Sequence, residues 1–61
     1  MKKLEIYHRN HTLIFECEDI EEGIWYDTKV TLNGSYLTTI AGCTVNEFIV
    51  EFKLLIDKYQ I

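Results

Sequence analysis

Proline is absent from the 61 residues, glycine occurs three times, cysteine twice, and six basic side chains face ten acidic ones. Each shortage closes off a class of protein. Two cysteines are too few for a disulfide scaffold, and one bridge between Cys17 and Cys43 is the most the chain forms internally. Reduced thiols in a cytoplasmic setting are the expectation. No charged–apolar–small-residue pattern opens the chain, and no apolar run approaches a membrane span, so no membrane contact is expected. The shortage of base leaves a net charge of −4. An acidic domain repels phosphate backbones at long range, which disfavours nucleic acid as a partner.

Chemistry-bearing constellations are equally scarce. Structural zinc needs four ligands arriving in close pairs. His8 and His11 have such spacing, but they flank a turn, and Cys17 and Cys43 stand alone. No metal or other cofactor is expected. Cys43 precedes a helix start, where the dipole lowers a thiol pKa. It also occupies the position of a hydrophobic staple, so a small buried hydrophobe is the expected role. With no catalytic motif and little room for a substrate cleft, the chain is not expected to be an enzyme.

What is present begins with the last third. Thr44-Val45-Asn46-Glu47 has the form of a capping box, and Val45, Phe48, Ile49, Phe52, Leu55, Ile56 and Tyr59 recur at steps of three and four. The spacing predicts one amphipathic helix from Thr44 to about Tyr59. Upstream, Lys3–Arg9 and Thr12–Glu18 alternate as strands around an Asn10-His11 turn, setting Ile6 against Phe15, His8 against Leu13 and Glu5 against Glu16. Ile24–Leu32 and Ser35–Ala41 follow, joined by Asn33-Gly34, the strongest local hairpin signal in the chain. In that hairpin Ile24, Tyr26, Val30 and Leu32 are expected in phase, with Val30 opposite Leu37. The expected architecture is α+β: one domain spanning residues 1–61, a four-stranded antiparallel sheet of two hairpins, and one C-terminal helix on one face.

One helix covers one face only. The other should carry Tyr7, Ile14, Trp25, Tyr36 and Ile40 among charged and polar neighbours, and an exposed apolar patch on a small domain marks a contact surface. On the helix, Val50 and Leu54 fall outside the core face and form a second stripe. Residues 1–28 hold three basic and seven acidic side chains, whereas residues 29–61 hold three of each. The excess acid lies in Glu16, Glu18, Asp19, Glu21, Glu22 and Asp27, a segment expected to be a solvated connection, with contact to a basic protein surface in imitation of DNA phosphates as the alternative. Its spacing lacks the alternating ligands of a calcium loop.

The order of four strands and then a helix resembles, in layout, the single-stranded-DNA-binding domain of positive-cofactor-type transcription coactivators. That resemblance implies base stacking on an open sheet face, with Lys3, Arg9 and Lys29 meeting phosphates. Absence of proline with abundant Ile, Lys, Glu and Tyr resembles the composition of proteins from AT-rich bacterial genomes and their phages. The function expected is therefore a non-enzymatic acidic protein-binding module. It is expected to be a homodimer, and a phage or mobile-element regulator or inhibitor of a host protein fits that description. The alternative is a single-stranded nucleic-acid-binding protein using the aromatic sheet face.

Overall fold

The computed structural model describes residues 2–61. Strands β1 (Lys2–His8), β2 (His11–Cys17), β3 (Asp19–Glu21), β4 (Ile24–Leu32) and β5 (Ser35–Thr44) form one antiparallel sheet. A short 3-10 turn, Val45–Glu47, then leads into helix α1, Phe48–Tyr59. The class is α+β, as the pattern predicts, but the sheet has five strands rather than four. Strand β4 is its spine: β2 and β3 pair end to end along one edge, β5 along the other, and β1 pairs β2.

The additional strand lies in the acidic segment expected to be a connection. Glu22 and Gly23 both take positive φ, +51° and +78°. That is the backbone of a two-residue hairpin turn whose twist matches its strands, and it brings Ile20 opposite Trp25. The Asn33-Gly34 turn forms as expected, with φ of +50° and +89°. The first turn falls one residue earlier than its residue types indicate, at Arg9-Asn10, φ +48° and +68°. His8 then faces His11, Ile6 faces Leu13 and Leu4 faces Phe15. The register moves by two residues, so no side chain changes face. The expected clash of Glu5 with Glu16 disappears, because Glu16 lies opposite Lys3 and, on its other side, Lys29.

Two local irregularities do change faces. Between Val30 and Thr31 the β4–β5 register shifts, so Val30 lies opposite Thr38 rather than Leu37. At Asp27 the backbone turns left-handed, φ +49°. The alternation slips there, burying Thr28 and Trp25 while exposing Tyr26. The expected phase, with Tyr26 inward, is therefore inverted in the N-terminal half of β4. Strand β5 follows the same slip, since Cys43 faces Trp25, whereas the shift at Val30 already sets Ile40 opposite Thr28. The Cys17 thiol donates to the carbonyls of Asp19 (2.8 Å) and Tyr26 (3.2 Å) beside the irregularity.

The core consists of Leu13, Phe15, Cys17, Trp25, Val30, Cys43, Phe48 and Leu55. The capping box anticipated at Thr44 and Glu47 is present. The Glu47 carboxylate accepts from the Thr44 N–H at 2.8 Å and from its hydroxyl at 3.0 Å. These bonds hold the Glu47 carboxyl below its ordinary pKa. At the other end Gln60 is left-handed, and the Ile61 N–H bonds to the Ile56 carbonyl at 3.2 Å. This closure resembles a Schellman motif and sets Ile61 against the core. The helix buries a narrower face than its spacing predicts: Phe48 and Leu55, with Phe52 and Ile56 half-buried, while Val45, Ile49 and Tyr59 are exposed. Val45 belongs to the 3-10 turn, and Ile49 stands about 100° around the axis from Phe48.

Thr28 is fully buried, and among the described residues its hydroxyl has no hydrogen-bond partner. A buried polar group without a partner costs free energy, and valine has nearly the same shape. Thr28→Val is expected to stabilise the fold by about 1 kcal/mol in urea denaturation. Glu47→Gln should lower the melting temperature at neutral pH. Because the native pKa lies below the unfolded value, the carboxylate's contribution is present above the unfolded pKa and lost as pH falls through the native one. The melting difference between wild type and variant should therefore close on acidification.

Candidate binding surfaces

The uncovered sheet face is a lattice of cross-strand rows. One row runs Lys3, Glu16, Lys29, Thr39, and its neighbour runs Glu5, Ile14, Thr31, Tyr36. Charges in the first row alternate in sign, so directly opposed neighbours attract. Tyr7 and Tyr36 project from this face, 73 % and 63 % exposed, with Ile14 half-buried between their strands. The Tyr7 hydroxyl donates to a Glu5 carboxylate oxygen at 2.6 Å, which raises the Tyr7 pKa. The Tyr36 hydroxyl shares a hydrogen bond with the Thr39 hydroxyl at 2.8 Å.

Of the five residues expected to form an apolar patch here, two are elsewhere. Trp25 is 8 % exposed and meets the Phe48 ring edge-on at 5.0 Å, because the slip at Asp27 turns it inward. Ile40 lies opposite the buried Thr28 and packs against the core, because the register shift moves it to the helix side. Tyr7, Ile14 and Tyr36 remain, separated by charged and hydroxyl side chains. The face is mixed rather than apolar.

The acidic residues gather around the break between β2 and β3. Glu18, Asp19, Glu21, Glu22 and Asp27 are exposed and Glu16 is half-buried. Glu16, Glu18, Asp19 and Asp27 line a shallow depression with Tyr26 and Lys29. Among the described residues no group of three or more His, Cys, Asp or Glu side chains is arranged to hold a metal ion. The two histidines have separate neighbours. His8 packs edge-on against Phe52 at 5.5 Å. His11 Nδ1 accepts from the Asn33 side-chain amide at 2.9 Å. Asn33 also receives the Thr12 N–H on Oδ1 at 2.9 Å and gives its own N–H to the Thr12 carbonyl at 2.8 Å. One asparagine thereby ties the turn after β4 to the start of β2.

The helix carries the larger apolar exposure. Val50 and Leu54 are exposed as the spacing predicts, and Val45 and Ile49 join them, all four 54–64 % exposed. Leu54 also borders a groove between α1 and β5, lined by Thr38, Thr39, Ile40, Glu51, Leu55 and Lys58. Periodicity alone assigns Val45 and Ile49 to the core. Their adjacency to the Val50–Leu54 stripe is the only sequence signal that points the other way. Among the described residues no helix is long and apolar enough to cross a membrane.

Cys43 does not have an activated thiol. Burial raises its pKa, and the nearby Glu47 and Glu51 carboxylates raise it further. Its Sγ donates to the Thr44 carbonyl at 3.2 Å. Iodoacetamide at neutral pH should modify Cys43 far more slowly in the native protein than in urea-unfolded chain, as read by mass spectrometry. Native labelling at the rate of a free thiol would contradict this arrangement. Comparison with family models, with curated proteins and with solved structures returns no match to this chain.

Proposed function

We propose that the chain is a non-enzymatic protein-binding module whose principal contact is the outward side of α1. The observation that carries this reading is the exposure of Val45, Ile49, Val50 and Leu54 on one short helical segment. Burying aliphatic surface stabilises an association by about 25 cal/mol per Å² before its entropic costs. Three such side chains on the helix and a fourth on the 3-10 turn that leads into it suit a groove-and-helix contact. The acidic residues around β3 add a long-range attraction for a basic partner surface. A regulator or inhibitor that acts by covering a partner's surface fits both features.

Tyr7 and Tyr36 support a second reading, in which the open sheet face stacks single-stranded bases. Glu5 and Glu16 stand among Lys3 and Lys29 on that face, and they oppose phosphate binding.

One set of variants separates the two. Val50→Lys/Leu54→Lys and Tyr7→Ser/Tyr36→Ser are compared with wild type for melting temperature, for capture of a partner from host lysate, and for binding of labelled single-stranded DNA at two salt concentrations. The expected result is near-wild-type melting for both variants, loss of the captured partner with the helix variant alone, and no DNA binding at low salt. Salt-sensitive DNA binding lost with the tyrosine variant would overturn the protein-binding reading.

A further inference from the structure

The free edges of the sheet are not alike. Edge strands resist pairing with other chains by carrying charge. Strand β1 carries Lys2, Lys3 and Glu5, and β3 carries Asp19 and Glu21. Strand β5, Ser-Tyr-Leu-Thr-Thr-Ile-Ala-Gly-Cys-Thr, has no charged residue and no proline. Among the described residues it pairs only with β4, so its other edge is free. Its pairing with β4 is irregular at two points, beside Val30 near the Asn33-Gly34 turn and opposite the left-handed Asp27.

We propose that a second copy of this chain pairs along the free edge of β5, strand antiparallel to strand, about a two-fold axis perpendicular to the sheet. The proposal rests on the protein-binding reading and names one partner for it. Such an axis makes the two sheets continuous and sets the two α1 helices antiparallel on the same face.

Charge complementarity supports this occupant. The midpoint of β5 falls between Thr39 and Ile40. The midpoint between Glu51 and Lys58 falls between Leu54 and Leu55. All six of these residues line the same groove beside the free edge. One axis through that groove therefore brings Leu54 towards its symmetry mate and sets Glu51 of each copy opposite Lys58 of the other. An isologous contact makes both pairs at once. The size is adequate too. Ten strand residues span about 33 Å, the full 32 Å length of the molecule. A face of that length and 16–20 Å deep hides roughly 500 Å² per copy, or about 1,000 Å² in total, the lower bound for a specific interface.

Sedimentation equilibrium on the full chain tests the arrangement. Wild type is expected to be a dimer that weakens as salt rises. Glu51→Lys and Lys58→Glu each place like charges opposite each other twice per dimer, and each should weaken association roughly tenfold. The double variant Glu51→Lys/Lys58→Glu should restore wild-type affinity. Thr39→Lys, which sets two charges beside the axis, should give monomer with an unchanged circular dichroism spectrum. A wild type that stays monomeric at several hundred micromolar overturns the dimer. Open-ended polymers, or a dimer indifferent to all these variants, overturn this geometry. Loss of lysate capture by Val50→Lys/Leu54→Lys with a monomeric wild type would leave the protein-binding reading standing without the dimer.

Discussion

Phe48 holds the two layers together. Its ring lies 5.1 Å from Phe15 on β2 and meets Trp25 on β4 edge-on at 5.0 Å. Aromatic pairs at these separations add to the stabilisation from buried area alone. The first turn of α1 is therefore fixed over the middle of the sheet, and the capping box delivers the chain to that point. Everything after Phe48 is positioned from this contact. Phe52 reaches His8 near the β1–β2 turn, Leu55 enters the core, and Ile61 closes the far end.

Trp25 can reach Phe48 only because β4 is not a regular strand. A left-handed aspartate is tolerated more readily than most residues, yet it still costs on the order of 1 kcal/mol. The return is a tryptophan and a cysteine brought inward together, since Cys43 lies opposite Trp25 on β5. The Cys17 thiol caps carbonyls of Asp19 and Tyr26 beside the irregular residue. The unpartnered Thr28 hydroxyl is the part of this arrangement that nothing offsets.

The features legible in the sequence are those governed by neighbours. The capping box, the Asn33-Gly34 turn, the helix and the four longer strands all depend on local backbone preference or on periodicity. What escaped depends on contacts distant in sequence. An Asp in a strand does not announce a positive φ, and a one-residue slip exchanges every side chain beyond it between faces. Trp25, beyond the slip at Asp27, and Ile40, beyond the register shift at Val30, consequently lie on the face opposite to the one periodicity predicts. The β1–β2 turn shows the converse. Moving it by one residue shifts the register by two, which preserves the faces and leaves Leu13 and Phe15 in the core as expected. Glu22-Gly23 was legible in principle, because glycine at the second turn position suits the hairpin geometry. The acidic residues around it masked that signal.

These irregularities also determine where the molecule can be contacted. Had the strands stayed in phase, Trp25 and Ile40 would have joined Ile14 in an apolar band across the open sheet face. With both turned inward, that face keeps a row of alternating charges, and two of its tyrosine rings, Tyr7 and Tyr36, are tethered by hydrogen bonds to Glu5 and Thr39. The apolar surface moves to the helix side, where α1 is too narrow to cover the sheet as far as β5. The groove left there adjoins the one edge strand without charge. Exposed apolar side chains and an unprotected backbone edge consequently occur side by side, and a partner that meets one meets the other.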